Sequence, residues 1–315
     1  MSGDGGTIRR VIGLVTALLL LSPISIEVQV PAPAGVLGGT LTLPAGRGPF
    51  PAVTTLTGSG AHYRDGNRTP DHPYRPFRQI ADKLAACGIA TLRVDDRGVG
   101  ESTGDANAAT AEDTAADGAA ALTFLRARPE IDARRLGLIG HSYGGEIAPM
   151  VAAEDPKVAA VVLLAGPARP FRETMRYQNR YRIENDASIT PADREKALAE
   201  AMIQQDANVK ASTEAWRRSI QDRDPLPTAR RLRMPVLILQ GSTDRAVSPE
   251  DAVLLERAIR EGGNRRVERL LFPGVNHHFQ RDAVGAREGY DHLPTQDLAP
   301  EVMDTLCKWL PATLR

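Results

Sequence analysis

The chain has 315 residues, 42% of them hydrophobic, enough for one large domain or two small ones and for a sizeable core. Lys+Arg and Asp+Glu balance at 39 each, and the charges are spread along the chain with no basic arm. Such a balance supplies no field to draw in nucleic acid or an acidic polymer, so no nucleic-acid partner is expected.

Two cysteines, Cys87 and Cys307, lie far apart and form no CxxC or Cys/His pattern. No metal site and no cofactor are expected from them. One disulfide is possible, but the reading preferred is two ordinary buried thiols, since free cysteine behaves as a small apolar side chain.

At the N-terminus, Arg9 and Arg10 precede the apolar run Val11 to Leu21, and Ser22-Pro23 break it. The run is short for a membrane-spanning helix. A basic start, a short apolar stretch and a breaker resemble a secretory signal, although no clean Ala-x-Ala follows. Residues 1–22 are therefore expected to be a signal-like or anchor segment. The protein is expected to be exported or associated with the cell envelope, touching a membrane through this segment only. An extra helix on a cytoplasmic protein is the alternative.

From residue 24 to 315 the pattern is that of one α/β domain. Ile26, Val28 and Val30 alternate with polar residues, as do Leu41 and Leu43 after the turn-like Gly38-Gly39, which predicts an antiparallel pair. Ala52 to Leu56 reads as a strand. Pro76 to Cys87 has helical spacing, with Phe77, Ile80 and Leu84 on one face and Gly88 as a stop. Strands at Ile89 to Val94, Arg135 to Ile139, Val158 to Leu164, Pro235 to Leu239 and Arg266 to Leu271 alternate with helices. The helices are expected at Thr110 to Arg126, Gly144 to Ala153, Pro249 to Arg260 and Pro300 to Leu310. This alternation implies a mostly parallel central sheet flanked by helices. The stretch from about 169 to 233 breaks the pattern and contains no clear strand. Ala187 to Gln205 and Ser212 to Asp222 read as helices, and the whole is expected to be a helical cap over the sheet's carboxyl edge.

Gly140-His141-Ser142-Tyr143-Gly144-Gly145 is a G-x-S-x-G sequence with a strand running into it and a helix following. Flanking glycines permit a tight strand-to-helix turn that lifts the serine hydroxyl above the sheet. Ser142 is thus the candidate nucleophile. Serine needs a base to take its proton. Of six histidines, His277 or His278 follows the last strand and His292 comes later still. Asp244, just past a strand, is the candidate acid. Glu250 and Asp251 read instead as the first turn of the helix that starts at Ser248-Pro249. The order Ser, Asp, His is the chain order of the α/β-hydrolase fold. Tyr143, the residue after the nucleophile, is expected to give one oxyanion N–H, and the loop after the early strand the other.

Three further segments carry a resemblance. Gly58-Ser59-Gly60 followed by Arg64-Asp65 is one, and Asp95-Asp96-Arg97-Gly98-Val99-Gly100-Glu101-Ser102 is another. Gly274-Val275-Asn276-His277-His278-Phe279-Gln280 is the third. With the serine motif they resemble the α/β-hydrolase superfamily, and within it bacterial dienelactone-hydrolase-like and acyl-peptidase-like serine esterases. The resemblance implies His277 as base and Ser59 as the second oxyanion donor. It assigns the Asp95-Asp96 loop to bracing the site. The expected activity is hydrolysis of carboxylic esters of small or medium acyl groups through an acyl-enzyme. Aminopeptidase or acyl-peptide hydrolase, acyl thioesterase, and a ligand-binding protein on a hydrolase fold are the alternatives. The expected partner is a small-molecule ester.

Overall fold

A computed structural model describes residues 22–315. The signal-like segment, apart from its Ser22, lies outside those residues. Strands β1 (Ile24–Ala32), β2 (Gly35–Leu43), β3 (Phe50–Leu56), β4 (Ala90–Val94), β5 (Ile131–His141), β6 (Ala160–Leu164), β7 (Val236–Gly241) and β8 (Val267–Phe272) form one sheet. Its order is β1-β2-β4-β3-β5-β6-β7-β8. β1 pairs antiparallel with β2, and β2 with β4; the others are parallel. The strand order reverses between β3 and β5, and at such a switch point the loops part to leave a crevice.

The central strands are apolar at consecutive positions because both faces are covered. Leu138, Val161, Leu163, Val236 and Ile238 point to one face. Ile139, Val162, Leu164, Leu237 and Leu239 point to the other. Helices α2 (Ala111–Arg126), α3 (Gly144–Glu154) and α8 (Pro249–Glu261) cover the first face through Leu122, Ile147 and Leu255. Helices α1 (Pro76–Ala86) and α9 (Pro300–Thr313) cover the second. The stripe Phe77, Ile80 and Leu84 of α1 packs there with Val302, Leu306 and Leu310 of α9.

Three expectations need correction. The opening hairpin turns at Pro33-Ala34, and Gly38-Gly39 lies inside β2. A Cβ on Gly39 would stand 2.8 Å from the carbonyl oxygen of Arg93, so this glycine permits close backbone approach and does not mark a turn. Between β6 and β7 lie α4 (Phe171–Glu184), α5 (Arg194–Ala211), α6 (Ala215–Ile220) and α7 (Leu226–Ala229). Helix α4 is unforeseen because only Phe171 and Ile183 of it are buried, leaving no apolar stripe to read. The stretch 187–193 is not helical; Ser188 and Thr190 instead bond to Asp186 and Asp193.

The third correction concerns the cysteines. Cys87 caps α1, Cys307 lies on α9, and the two are disulfide-bonded with their Cα atoms 5.7 Å apart. Packing of α1 against α9 brings together residues 220 positions apart, which their spacing could not show. Replacing both cysteines by alanine is expected to lower stability by about 2–4 kcal/mol. The test is a urea unfolding midpoint against the oxidised parent, and equal midpoints would contradict it.

Candidate active site

β5 ends at His141, and the chain turns at Ser142 into α3. Ser142 has φ +56°, a left-handed conformation that costs a residue with a side chain roughly 1–3 kcal/mol. Its N–H donates to the carbonyl of Leu164 on β6 at 2.9 Å, which pins the turn to the sheet. The glycines around it are sterically required. A Cβ on Gly140 would lie 2.0 Å from the Gly144 carbonyl oxygen, and one on Gly144 would lie 2.2 Å from that of Leu56.

Asp244 follows β7 and is fully buried. Its Oδ1 accepts the N–H groups of Ala246 and Val247, both at 2.8 Å. Its Oδ2 accepts from the Gln240 amide and from His277 Nδ1, also at 2.8 Å. Four donors on one carboxylate fix its direction. The loops after β7 and β8 are stitched together. Thr243 N–H donates to the carbonyl of Val275, and Gly274 N–H to the hydroxyl of Ser242. Asn276, fully buried, accepts from the N–H groups of His278 and Gln280 and shapes the turn that carries His277.

The neighbouring histidines separate clearly. His277 bonds to Asp244 and lines the same cavity as Ser142. His278 stacks on Tyr74, ring centroids 4.3 Å apart, and burial pushes its pKa down. His292 is exposed at the end of a short 3-10 turn. Glu250 and Asp251 open α8 as expected. Asp251 also accepts the Ala168 N–H and pairs with Arg169, holding the start of the insertion.

Ser59 lies on the loop after β3 and lines the same pocket as Ser142 and Tyr143. Among the described residues, neither the Ser59 nor the Tyr143 backbone N–H has a protein acceptor. Gly58 places this loop against the nucleophile's turn: a Cβ there would be in ordinary contact with Cβ of Ser142 at 3.7 Å. Asp96 braces this loop by accepting the Thr57 hydroxyl and the His62 N–H. Asp95 holds Arg64 through both backbone and guanidinium. Both carboxylates are thus engaged in holding loops.

Two residues carried no signal in the sequence that spacing could expose. His141 donates from Nε2 to the carbonyl of His277 at 2.9 Å and buttresses the loop. Burial, then the nearby His277, lowers its pKa to about 3, so it stays neutral. Glu146, on the first turn of α3, is buried beside Ser142, and burial raises its carboxyl to about 8. A cleft of about 500 Å³ and a smaller pocket of about 60 Å³ meet at Ser59, Ser142, His277 and Arg287.

The family of serine aminopeptidases designated S33 matches residues 72–283, about two thirds of the chain. The chain belongs to this family. It is 28% identical over 282 residues to Esterase EstD of Thermotoga maritima, covering 87% of this chain and 65% of that relative. It thus spans just under two thirds of the length of that curated relative. An esterase from Pyrococcus furiosus superposes with a TM-score of 0.61 at 17% identity, covering 93% of this chain and 92% of that one. A Klebsiella pneumoniae protein assigned as a dienelactone hydrolase gives 0.59 at 17% identity, covering 93% and 98%. These likenesses and the sheet order make the fold that of an α/β-hydrolase.

Replacing His277 by alanine is expected to slow fluorophosphonate labelling of Ser142 by roughly 100-fold or more. His278→Ala, which removes a ring stacked on Tyr74, is expected to cost far less. Labelling rates on folded variants test this, and the reverse ranking would contradict it.

Proposed function

We propose that the protein hydrolyses carboxylic esters of small or medium acyl groups, with Ser142 as nucleophile, His277 as base and Asp244 as orienting acid. One observation carries the reading: the strained Ser142 turn and the His277–Asp244 pair face one cavity. Ser142 Oγ attacks the ester carbonyl while His277 Nε2 takes its proton. The His277 Nδ1–H, held on Asp244 Oδ2, keeps the ring oriented and stabilises the imidazolium. The carbonyl oxygen, now negative, is received by the free N–H groups of Ser59 and Tyr143. The positive end of α3 adds to that field. Collapse of the tetrahedral intermediate expels the alkoxide, which leaves as an alcohol with the proton from His277. Water, deprotonated by the same imidazole, then attacks the acyl-enzyme and releases acid and free Ser142.

The segment from Arg169 to Arg233 is proposed as a cap. Phe171, Met175 and Ile220 line the smaller pocket beside Ser142, and the Tyr177 hydroxyl donates to the Asp244 carbonyl. Trp216 packs on Tyr143 and Phe171. Ile203, in contrast, is 71% exposed and lines nothing. Export is proposed as well. The Cys87–Cys307 bridge supports it, because disulfides persist in oxidising compartments.

The family's designation favours a second reading, cleavage of aminoacyl amides. A panel of p-nitrophenyl esters, acyl thioesters and aminoacyl anilides separates the two. Esters are expected to be hydrolysed fastest, with the activity abolished in Ser142→Ala. Anilides cleaved faster than esters would favour the peptidase, and activity surviving in Ser142→Ala would overturn both. Met175→Ala is expected to shift the preferred acyl length, since one methylene in such a pocket is worth about 1–3 kcal/mol. An unchanged length profile would argue against the cap.

A further inference from the structure

The pocket beside Ser142 is lined by Pro167, Phe171, Met175, Ile220 and Val247, with one carboxyl among them, that of Glu146. Glu146 is 5% exposed, and its Oε1 is buried with no hydrogen-bond partner. An unpaired buried polar group costs about 1–3 kcal/mol, so something is expected to satisfy it in the working enzyme. The neighbouring groups do not. Arg223 is engaged with Glu112 at 2.8 Å and with the sulfur of Met150. Arg169 is bound to Glu250 and Asp251, and Arg287 to Gln178. Gln178 in turn donates to the Ala246 carbonyl.

We propose that Glu146 is a specificity-determining residue that donates a hydrogen bond from its neutral carboxyl to an oxygen acceptor on the acyl group. The substrate class is therefore acyl esters bearing a keto or similar acceptor oxygen along the chain, in preference to plain alkyl esters of equal length. The inference rests on the ester-hydrolase reading above. The pocket adjoins the nucleophile, and Glu146 is the one carboxyl in a lining that mixes apolar side chains with neutral polar groups and the cations Arg169 and Arg287, so an acyl chain entering it passes the carboxyl. An ammonium group would face Arg169 and Arg287 on the same lining, which disfavours an aminoacyl occupant. The groups that set the charge of Glu146 are Arg223 from the chain after α6 and Glu112 on α2, with burial dominant. Burial holds the acid neutral up to about pH 8. Above that it ionises and loses the proton it would donate.

The test is a series of p-nitrophenyl esters in which a ketone is walked along the acyl chain, each compared with the plain ester of the same length. At pH 6 the parent is expected to favour one keto position by roughly 3–10-fold in kcat/KM, the worth of one hydrogen bond. The preference should fade as pH rises through about 8. Glu146→Leu should abolish it, and Glu146→Gln, an amide donor that does not titrate, should keep it across the pH range. Plain esters hydrolysed with no keto position preferred would overturn the inference alone, as would a preference unchanged in Glu146→Leu. Failure to hydrolyse any ester, with no fluorophosphonate labelling of Ser142, would overturn the ester-hydrolase reading itself.

Discussion

The turn at Ser142 is the constraint on which the site depends. A serine at φ +56° is unfavourable in isolation and persists only where its surroundings leave no alternative. Here the surroundings are backbone. Gly140, Gly144 and Gly145 each stand where a Cβ would strike a carbonyl or Cα at 2.6 Å or less. The turn therefore packs tightly between β3, β5 and β6, which fixes the backbone that carries the Ser142 hydroxyl at the sheet's carboxyl edge. Close packing holds the proposed nucleophile's backbone in place despite the local strain.

The same edge collects the other groups for a topological reason. β3, β5, β7 and β8 are parallel, so the loops carrying Ser59, Ser142, Asp244 and His277 emerge on one side. Hydrogen bonds between the loops after β7 and β8 then set the fine geometry. Asp244 is fully buried, and burying a carboxylate is expensive unless donors replace water. Four donors do so, and His277 is one of them, which ties the orientation of the His277 ring to the solvation of Asp244.

Much of this was legible in the sequence because it rests on local pattern. The strand, glycine turn and helix around Ser142, the apolar runs of the parallel strands, and the stripe of α1 all follow from spacing. Features that depend on distant parts meeting did not announce themselves. The Cys87–Cys307 bridge needs α1 beside α9. Helix α4 buries two residues, so its charged face hides its period. The turn at Pro33-Ala34 was misplaced because Gly38-Gly39 looked like punctuation, whereas those glycines admit a neighbouring backbone. Glu146 reads as an ordinary acid in a helix's first turn, where acids favour the dipole. Only the tertiary packing shows it to be buried with an unpaired oxygen in the pocket beside Ser142.

The central claim is that Ser142 reacts within reach of two free backbone N–H groups while His277 is held on Asp244. A crystal structure of the protein after reaction with a small fluorophosphonate tests it most directly. The account predicts phosphorus bonded to Ser142 Oγ, with the phosphoryl oxygen about 2.7–3.1 Å from the N–H groups of both Ser59 and Tyr143. A phosphonate on another residue, or an oxygen turned away from both N–H groups, would contradict it.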